Sequence, residues 1–514
     1  MTTSSIRQHP LLPWIGIAFL TLAALALRLY RLSDLGLWYD EAFSILIARR
    51  SWGAMNQVIF VDVHPPLYYY LLHLWGAESI TWARGFSVLC STLTIPLLFI
   101  LTRRLLGTGG AFLASALLTI HPMHVYYAQE LRMYAFQSLL ILLLLASGLR
   151  LLSTENPPRR RHWIALAVLA WGVMATQYLG GALVAGVWIG LFLAHLGKNT
   201  PPPRWIATWA GCGAAALVGM FPFLFWGTRW KTLTEFQNDL PFSLRFIRDI
   251  LDGFMGHIHS TPLHWIGNNG GEFYWDLACA IFLLLLLTVG VIVLLRTSRR
   301  KEAIFLSSVV SVCAFLLFLY DCSERRFFTR YFVLLLPASV MLYAAALSHG
   351  RRWLRFPAVG FLVLIFLSSS CFILSGEHRD TSGKLAKRIS FQSKNRPQPP
   401  MLVENIALAL TLKTFFPQAD IRYASTRDAL IPVEQAVFTD QDLVQTWPED
   451  WRGRKVWMIM GGWGNLPQTP EELQSKTAEF AQRLGAPKGA LRLYGVETVQ
   501  GGFKWSALLE WAPQ

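Results

Sequence analysis

Charge is what this sequence has least of. Only 15% of its 514 residues are Asp, Glu, Lys or Arg, while 54% are hydrophobic. A soluble domain of this length carries roughly 25% charge, so an ordinary water-soluble enzyme is excluded. Cysteine is also sparse: six are scattered through the chain, almost all in apolar runs. None forms a C-x-x-C, so neither a zinc site nor a disulfide framework is implied. Cys322 and Cys371 fall near the same expected membrane face, which leaves one bridge open. There is no internal repeat, and low complexity is confined to Pro201-Pro202-Pro203 and Pro397–Pro400. Acid is the scarcer sign, with 31 Asp and Glu against 46 Lys and Arg, a net charge of +15. Much of that excess sits in short loops between apolar runs, the pattern of positive-inside membrane proteins. No nucleic-acid partner is implied.

Long apolar runs are what the chain has in quantity. Several reach the roughly 20 residues needed to cross a bilayer. Spans are expected at Leu11–Tyr30, Trp82–Leu101, Gly109–Val125, Ala135–Leu152, Trp163–Leu179, Ala182–Leu196, Trp205–Trp226, Tyr274–Leu295, Ala303–Tyr320, Phe332–Leu347 and Leu354–Ser375. The fold class is therefore an all-α polytopic membrane protein with about eleven transmembrane helices. Arg28, Tyr30 and Arg31 stand where a signal peptide would have its small-residue cleavage site, so the first run reads as a retained span.

Five basic stretches fall on one side if the spans alternate: Arg103-Arg104, Arg159-Arg160-Arg161, Lys198 with Arg204, Arg299-Arg300-Lys301, and Arg351-Arg352 with Arg355. That side is the cytoplasm. The loop after the first span, the turn near residue 130, the loop Gly227–Phe273, the loop Ser323–Arg330 and the C-terminal tail then face outward. Leu67–Trp75 is too short to span and, behind Pro65-Pro66, reads as a helix at the outer interface. Glu41–Arg50 reads the same way, with Phe43, Ile45, Leu46 and Ile47 as its apolar face. Composition changes near residue 376. Two domains are expected: 1–376 in the membrane, and 377–514 as a small soluble α/β domain outside it. Strands are expected at Met401–Val403, Val456–Met460, Leu491–Val499 and Phe503–Trp511, and an amphipathic helix at Pro470–Leu484.

Acids at a membrane boundary are costly to desolvate and mark functional sites. Asp40 and Glu41 follow directly on the first span. Asp40 can act as a general base towards a hydroxyl. The adjacent acids can also hold a divalent cation with a ligand from elsewhere, such as Glu130, or simply open a helix favourably to its dipole. Glu130 can orient a base, ligate a metal, bind sugar hydroxyls, or pair locally with Arg132; Tyr134 stands beside them. His64 can bind phosphate, pass protons, or play a structural part before Pro65. Arg325, Arg326 and Arg330 break the positive-inside pattern, and guanidinium forks suit phosphate; pairing with Asp321 and Glu324 is the plainer reading.

The order W-Y-D-E-A, H-P-P-L-Y-Y, R-R-L-L-G, Y-A-Q-E-L-R-M-Y and T-R-Y-F-V-L-L-L-P resembles the dolichyl-phosphate-mannose-protein mannosyltransferases. These are glycosyltransferase family 39 and its bacterial relatives, including the aminoarabinose transferases, of the GT-C superfamily. The likeness is dense over Leu37–Tyr134 and returns at Arg330–Pro337. It implies a polyprenyl-phosphate-linked sugar as donor and an extracytoplasmic active site in the plasma or inner membrane. Asp40 matches the first-loop catalytic acid, with Glu41 its neighbour, and Glu130 matches the second acidic position. Arg132 and Arg330 fall where basic residues approach the donor phosphate, with Arg325 as a further candidate. The acceptor is left open among protein, glycolipid and polysaccharide. Two competing readings are a lipid-linked-sugar flippase, which needs charges through the bilayer midplane, and an O-antigen ligase or polymerase, which uses diphosphate donors.

Overall fold

Among the described residues the apolar runs fold mainly as helices, because a helix satisfies its own backbone groups where no water is available. The computed structural model describes residues 11–60, 62, 64–152, 159–196, 202–222, 271–324, 329–349, 352–375, 381–393, 397–424, 437–462, 467, 469–498 and 505–513. The helices are α1 (Leu12–Leu29), α2 (Tyr39–Ala48), α3 (Trp52–Ile59), α4 (Leu67–Trp75), α5 (Ile80–Ile120), α6 (Pro122–Ala128), α7 (Tyr134–Leu152), α8 (Arg160–Thr176), α9 (Gly180–His195), α10 (Pro203–Val218), α11 (Gly271–Arg296), α12 (Arg300–Glu324), α13 (Leu336–His349), α14 (Arg352–Ser375), α15 (Ser382–Ser393), α16 (Ile406–Phe415) and α17 (Pro470–Arg483). A 3₁₀ turn, Thr329–Leu334, leads into α13. The run expected at Trp82–Leu101 and most of that expected at Gly109–Val125 are joined in α5, which breaks at Gly107, a left-handed residue with φ 72°; the end of the second run falls in α6.

Among the described residues, five helices are long and apolar enough to cross a membrane: Leu12–Leu29, Ile80–Ile120, Tyr134–Leu152, Ala278–Arg296 and Arg300–Tyr320. Their outward side chains are bare. Phe19 is 74% exposed and Leu22 64%, a liability in water and a match for lipid. Shorter apolar helices include α9 and α13. Inside the bundle, backbones meet at small residues. Gly186 and Gly190, four apart on α9, let α12 approach so closely that a Cβ on either would lie 2.9 Å from the carbonyl oxygen of Val309 or Phe305.

The chain divides into two compact units. The first holds residues 1–30, 63–68 and 84–371; the second holds 31–62, 69–83 and 372–514. The second unit therefore takes in the acidic loop after α1 as well as the C-terminal segment. Its sheet has the order β3-β2-β1-β4-β6-β5, from β1 (Met401–Val403), β2 (Ile421–Ala424), β3 (Leu443–Val444), β4 (Val456–Gly462), β5 (Gly489–Thr498) and β6 (Trp505–Pro513). β3, β2, β1 and β4 pair in parallel, and β6 pairs antiparallel with both β4 and β5. Trp451, Met458, Phe480 and Leu509 sit in its core.

One helix departs from its expected setting. The Glu41–Arg50 segment was to lie on the outer interface; instead α2 packs on α16. Glu41 and Ser44 are as buried as Ile45 and Ile47, so its polar face is covered too. Helix α16 accepts α2 because it is apolar almost all round, from Ala407 to Leu412. Asn405 caps it, accepting from the Leu408 N–H at 3.0 Å. Cys371 is a free thiol, so the Cys322–Cys371 bridge does not form.

Candidate active site

In the first unit the site is built on the turn between α6 and α7. Pro122 opens α6 at a position where its missing N–H costs nothing. The helix ends at Ala128, and Gln129, Glu130, Leu131, Arg132 and Met133 form a wholly buried turn before Tyr134 begins α7. The Gln129 amide explains how this turn is held. Its Nε2 donates to the carbonyls of Arg28 at 3.2 Å and Tyr30 at 2.9 Å, open acceptors at the end of α1. Ser87 Oγ donates to the Arg132 carbonyl at 3.5 Å.

Around the turn, charges of both signs gather. Glu130 and Arg132 are 1% and 2% exposed, a burial that charged groups tolerate only when compensated. Arg330, on the 3₁₀ turn before α13, acts electrostatically on His64, Tyr127 and Tyr134. Arg132 acts on His64 and Tyr134, and Glu130 acts on Tyr127 and Tyr134. The Tyr127 and Tyr134 rings lie 4.5 Å apart between centroids. Burial, then the positive fields of Arg132 and Arg330, hold His64 well below the usual histidine range, so it is neutral near pH 7. Burial and then the Glu130 carboxylate push the Tyr127 phenol well above its ordinary value. Five sequence candidates, His64, Glu130, Arg132, Tyr134 and Arg330, are thus brought together. Among the described residues, two guanidiniums and one carboxylate act on these side chains, an arrangement suited to an anion. Arg325 lies outside the described residues.

A second polar cluster in this unit carried no sequence signal. Arg28, fully buried near the end of α1, donates Nε to Ser91 Oγ at 2.7 Å and Nη2 to His124 Nδ1 at 2.7 Å. Its Nη1 reaches the carbonyls of Ala24 at 2.9 Å and Thr119 at 3.4 Å. An arginine only donates, so His124 Nδ1 accepts and its proton sits on Nε2, 3.1 Å from Thr94 Oγ1. Every side-chain partner of Arg28 is uncharged.

The first-loop acids belong to the second unit. Asp40 and Glu41 occupy the first turn of α2, where the helix dipole favours them. One residue of helical rotation separates their surroundings: Glu41 is fully buried, whereas Asp40 is half-buried and keeps an open side. Of the two acids, Asp40 is the one partly open to solvent. Asp62 is another acid that the sequence did not single out. It is buried and accepts from the Tyr69 hydroxyl at 2.8 Å. Among the described residues, no three His, Cys, Asp or Glu side chains come together as a metal cluster.

Comparison with known proteins fits this architecture. Residues 63–226 match the family described as dolichyl-phosphate-mannose-protein mannosyltransferase. That stretch contains His64, Glu130, Arg132 and Tyr134; Asp40 and Arg330 lie outside it. The fold is that of ArnT from Cupriavidus metallidurans, solved bound to undecaprenyl phosphate. The TM-score is 0.61 at 15% identity, over 97% of this chain and 98% of that one. The apo state of ArnT gives a TM-score of 0.60 at 14% identity, with the same coverage of 97% and 98%. No curated protein sequence matches the chain.

Proposed function

We propose that this chain is an integral membrane glycosyltransferase. It moves a sugar from a polyprenyl-phosphate donor to an acceptor hydroxyl on the extracytoplasmic face, with inversion at the anomeric carbon. The observation that carries this reading is the gathering of Arg132, Arg330 and Glu130 around Tyr134 and His64. It is an anion site that a lipid phosphate fits, in a unit of bare apolar helices that hold a prenyl chain. The resemblance in fold to ArnT, solved with undecaprenyl phosphate, supports the same donor class. About eleven spans, cytoplasmic basic loops and an outward-facing soluble domain complete the topology.

In this mechanism Asp40 takes the proton of the acceptor hydroxyl. The acceptor oxygen forms its bond to the anomeric carbon as the bond from that carbon to the phosphate oxygen breaks. The electron pair leaves with the lipid phosphate, whose charge Arg330 and Arg132 stabilise. Glu130 binds the sugar hydroxyls. A single displacement inverts the configuration. Neutral His64 adds no further positive charge and offers a hydrogen bond to phosphate or sugar.

The test is transfer by purified protein in detergent from a polyprenyl monophosphate sugar, followed on a labelled donor. Asp40→Asn is expected to abolish transfer, a loss on the order of 10²–10⁴-fold for a general base, with folding and insertion retained. Turnover from a diphosphate donor but not a monophosphate would replace this reading with a ligase or polymerase. Donor movement across vesicles without transfer would replace it with a flippase.

A further inference from the structure

We propose that Ser382, the first residue of α15 in the C-terminal segment, is a positioning residue for the Asp40 helix. The proposal rests on the reading of Asp40 as the base. Every contact it uses lies within the second unit.

Leu37 is the last residue before Trp38, the N-cap of α2. It is fully buried in a segment with no regular partner for its backbone, so both its N–H and its C=O need one. One hydroxyl supplies both. The Leu37 N–H donates to Ser382 Oγ at 3.0 Å, and the Ser382 O–H donates back to the Leu37 carbonyl. Ser382 is itself fully buried, and a hydroxyl is the smallest side-chain group that can both donate and accept. The next residues make the fit close: a Cβ on Gly383 would lie 3.2 Å from the Gly36 Cα, so the two backbones touch through glycine. Beyond the clamp, α2 rests on α16. The start of the acidic helix is thereby fixed by the C-terminal segment. The Lys387–Asp34 contact on the same helix is exposed, at 3.6 Å with side chains 71% and 48% exposed, and is no part of the clamp.

A base must sit within tenths of an ångström of its working place, and small misplacements far from the chemistry lower turnover by orders of magnitude. The clamp is three residues from Asp40. Losing it changes where the carboxylate stands without touching how the donor lipid is bound.

The experiment compares Ser382→Ala, Ser382→Thr and Lys387→Ala in the full chain. It measures hydrogen exchange of the peptide covering Leu37, kcat and donor KM. Ser382→Ala is expected to speed exchange at Leu37 at least tenfold and lower kcat about tenfold, with donor KM within twofold of wild type. Ser382→Thr keeps the hydroxyl and restores most of both; Lys387→Ala leaves both unchanged. Where Ser382→Ala does not fold, Gly383→Ala takes its place. Its Cβ pushes on Gly36, and a roughly threefold fall in kcat with faster Leu37 exchange is expected. Faster exchange with unchanged kcat overturns the positioning role and leaves the base assignment standing, as does unchanged exchange in either variant. Full turnover by Asp40→Asn overturns the base assignment itself, and the positioning role with it.

Discussion

Two polar clusters are buried in the same helical unit, and they are opposites. Around Arg28 every partner is neutral: a serine, an imidazole with its proton turned away, and two backbone carbonyls. The donors of one cation are matched to acceptors that α1, α5 and α6 already carry. Around Arg330 both signs meet, with Glu130 and Arg132 buried and the phenols of Tyr127 and Tyr134 close by. The first arrangement joins helices. The second sets two guanidiniums and a carboxylate around a histidine and two phenols, the arrangement proposed above to hold an anion. A buried charge in a membrane protein is a functional hypothesis by default, and here the mixture of signs tells the pin from the site.

The largest effect expected from breaking this contrast falls on Arg28. Arg28→Ala leaves His124 Nδ1 and Ser91 Oγ without their donor. Each orphaned buried group costs about 1–3 kcal/mol. Thermal unfolding in detergent is expected to show a loss of roughly 3 kcal/mol, while turnover per folded molecule stays within a few-fold. Loss of turnover at full stability would move Arg28 into the site.

Arg330 is expected to behave in the reverse way. A hydrogen bond to a charged group contributes on the order of 1.5–3 kcal/mol, so Arg330→Ala lowers kcat/KM roughly tenfold or more, with little change in unfolding temperature. Arg330→Lys keeps the charge but not the planar fork and recovers only part. Glu130→Gln lowers turnover as well, by less than Asp40→Asn. If both Arg330 variants match wild type, the residue is a headgroup anchor and the contrast collapses.

The smallest effect is on pH dependence. His64 has a folded pKa below its unfolded value near 6.5. Below that unfolded value the unfolded chain binds a proton that the folded one refuses, so stability falls as pH falls. The drop in unfolding temperature between pH 7 and pH 5.5 is expected to be shallower in His64→Gln. Arg330→Gln removes only the smallest of the causes that lower His64, after burial and Arg132, so its slope is expected to match wild type. An identical pH slope in His64→Gln and wild type would show that His64 is not held below its ordinary value.

Much of the helical frame was legible because a bilayer imposes length and apolarity together. The run read as Ala135–Leu152 folds as Tyr134–Leu152, and the strands at Met401–Val403 and Val456–Gly462 follow their β-branched and aromatic content. The charged turn was legible too, since Glu130 and Arg132 stand out against apolar neighbours. Arg28 was not. An arginine near the end of an apolar run reads as a flank that snorkels to the interface, and only His124, 96 residues later, turns it inward. The setting of α2 was hidden for the same reason. Its apolar face reads equally well as lipid-facing or protein-facing, and α16 decides. Ala407–Leu412 is apolar almost all round, which leaves little helical period to find.

The clamp on Leu37 also sets an order of events in time. Its two halves are separated by 345 residues of sequence. At roughly 5–20 residues per second, the ribosome needs about 20–70 s to cover that distance. Through that interval the acid-bearing helix has been made but has no seat. The start of the Asp40 helix is thus made long before the serine that holds it, and the Leu37 clamp closes only once residue 382 has been synthesised.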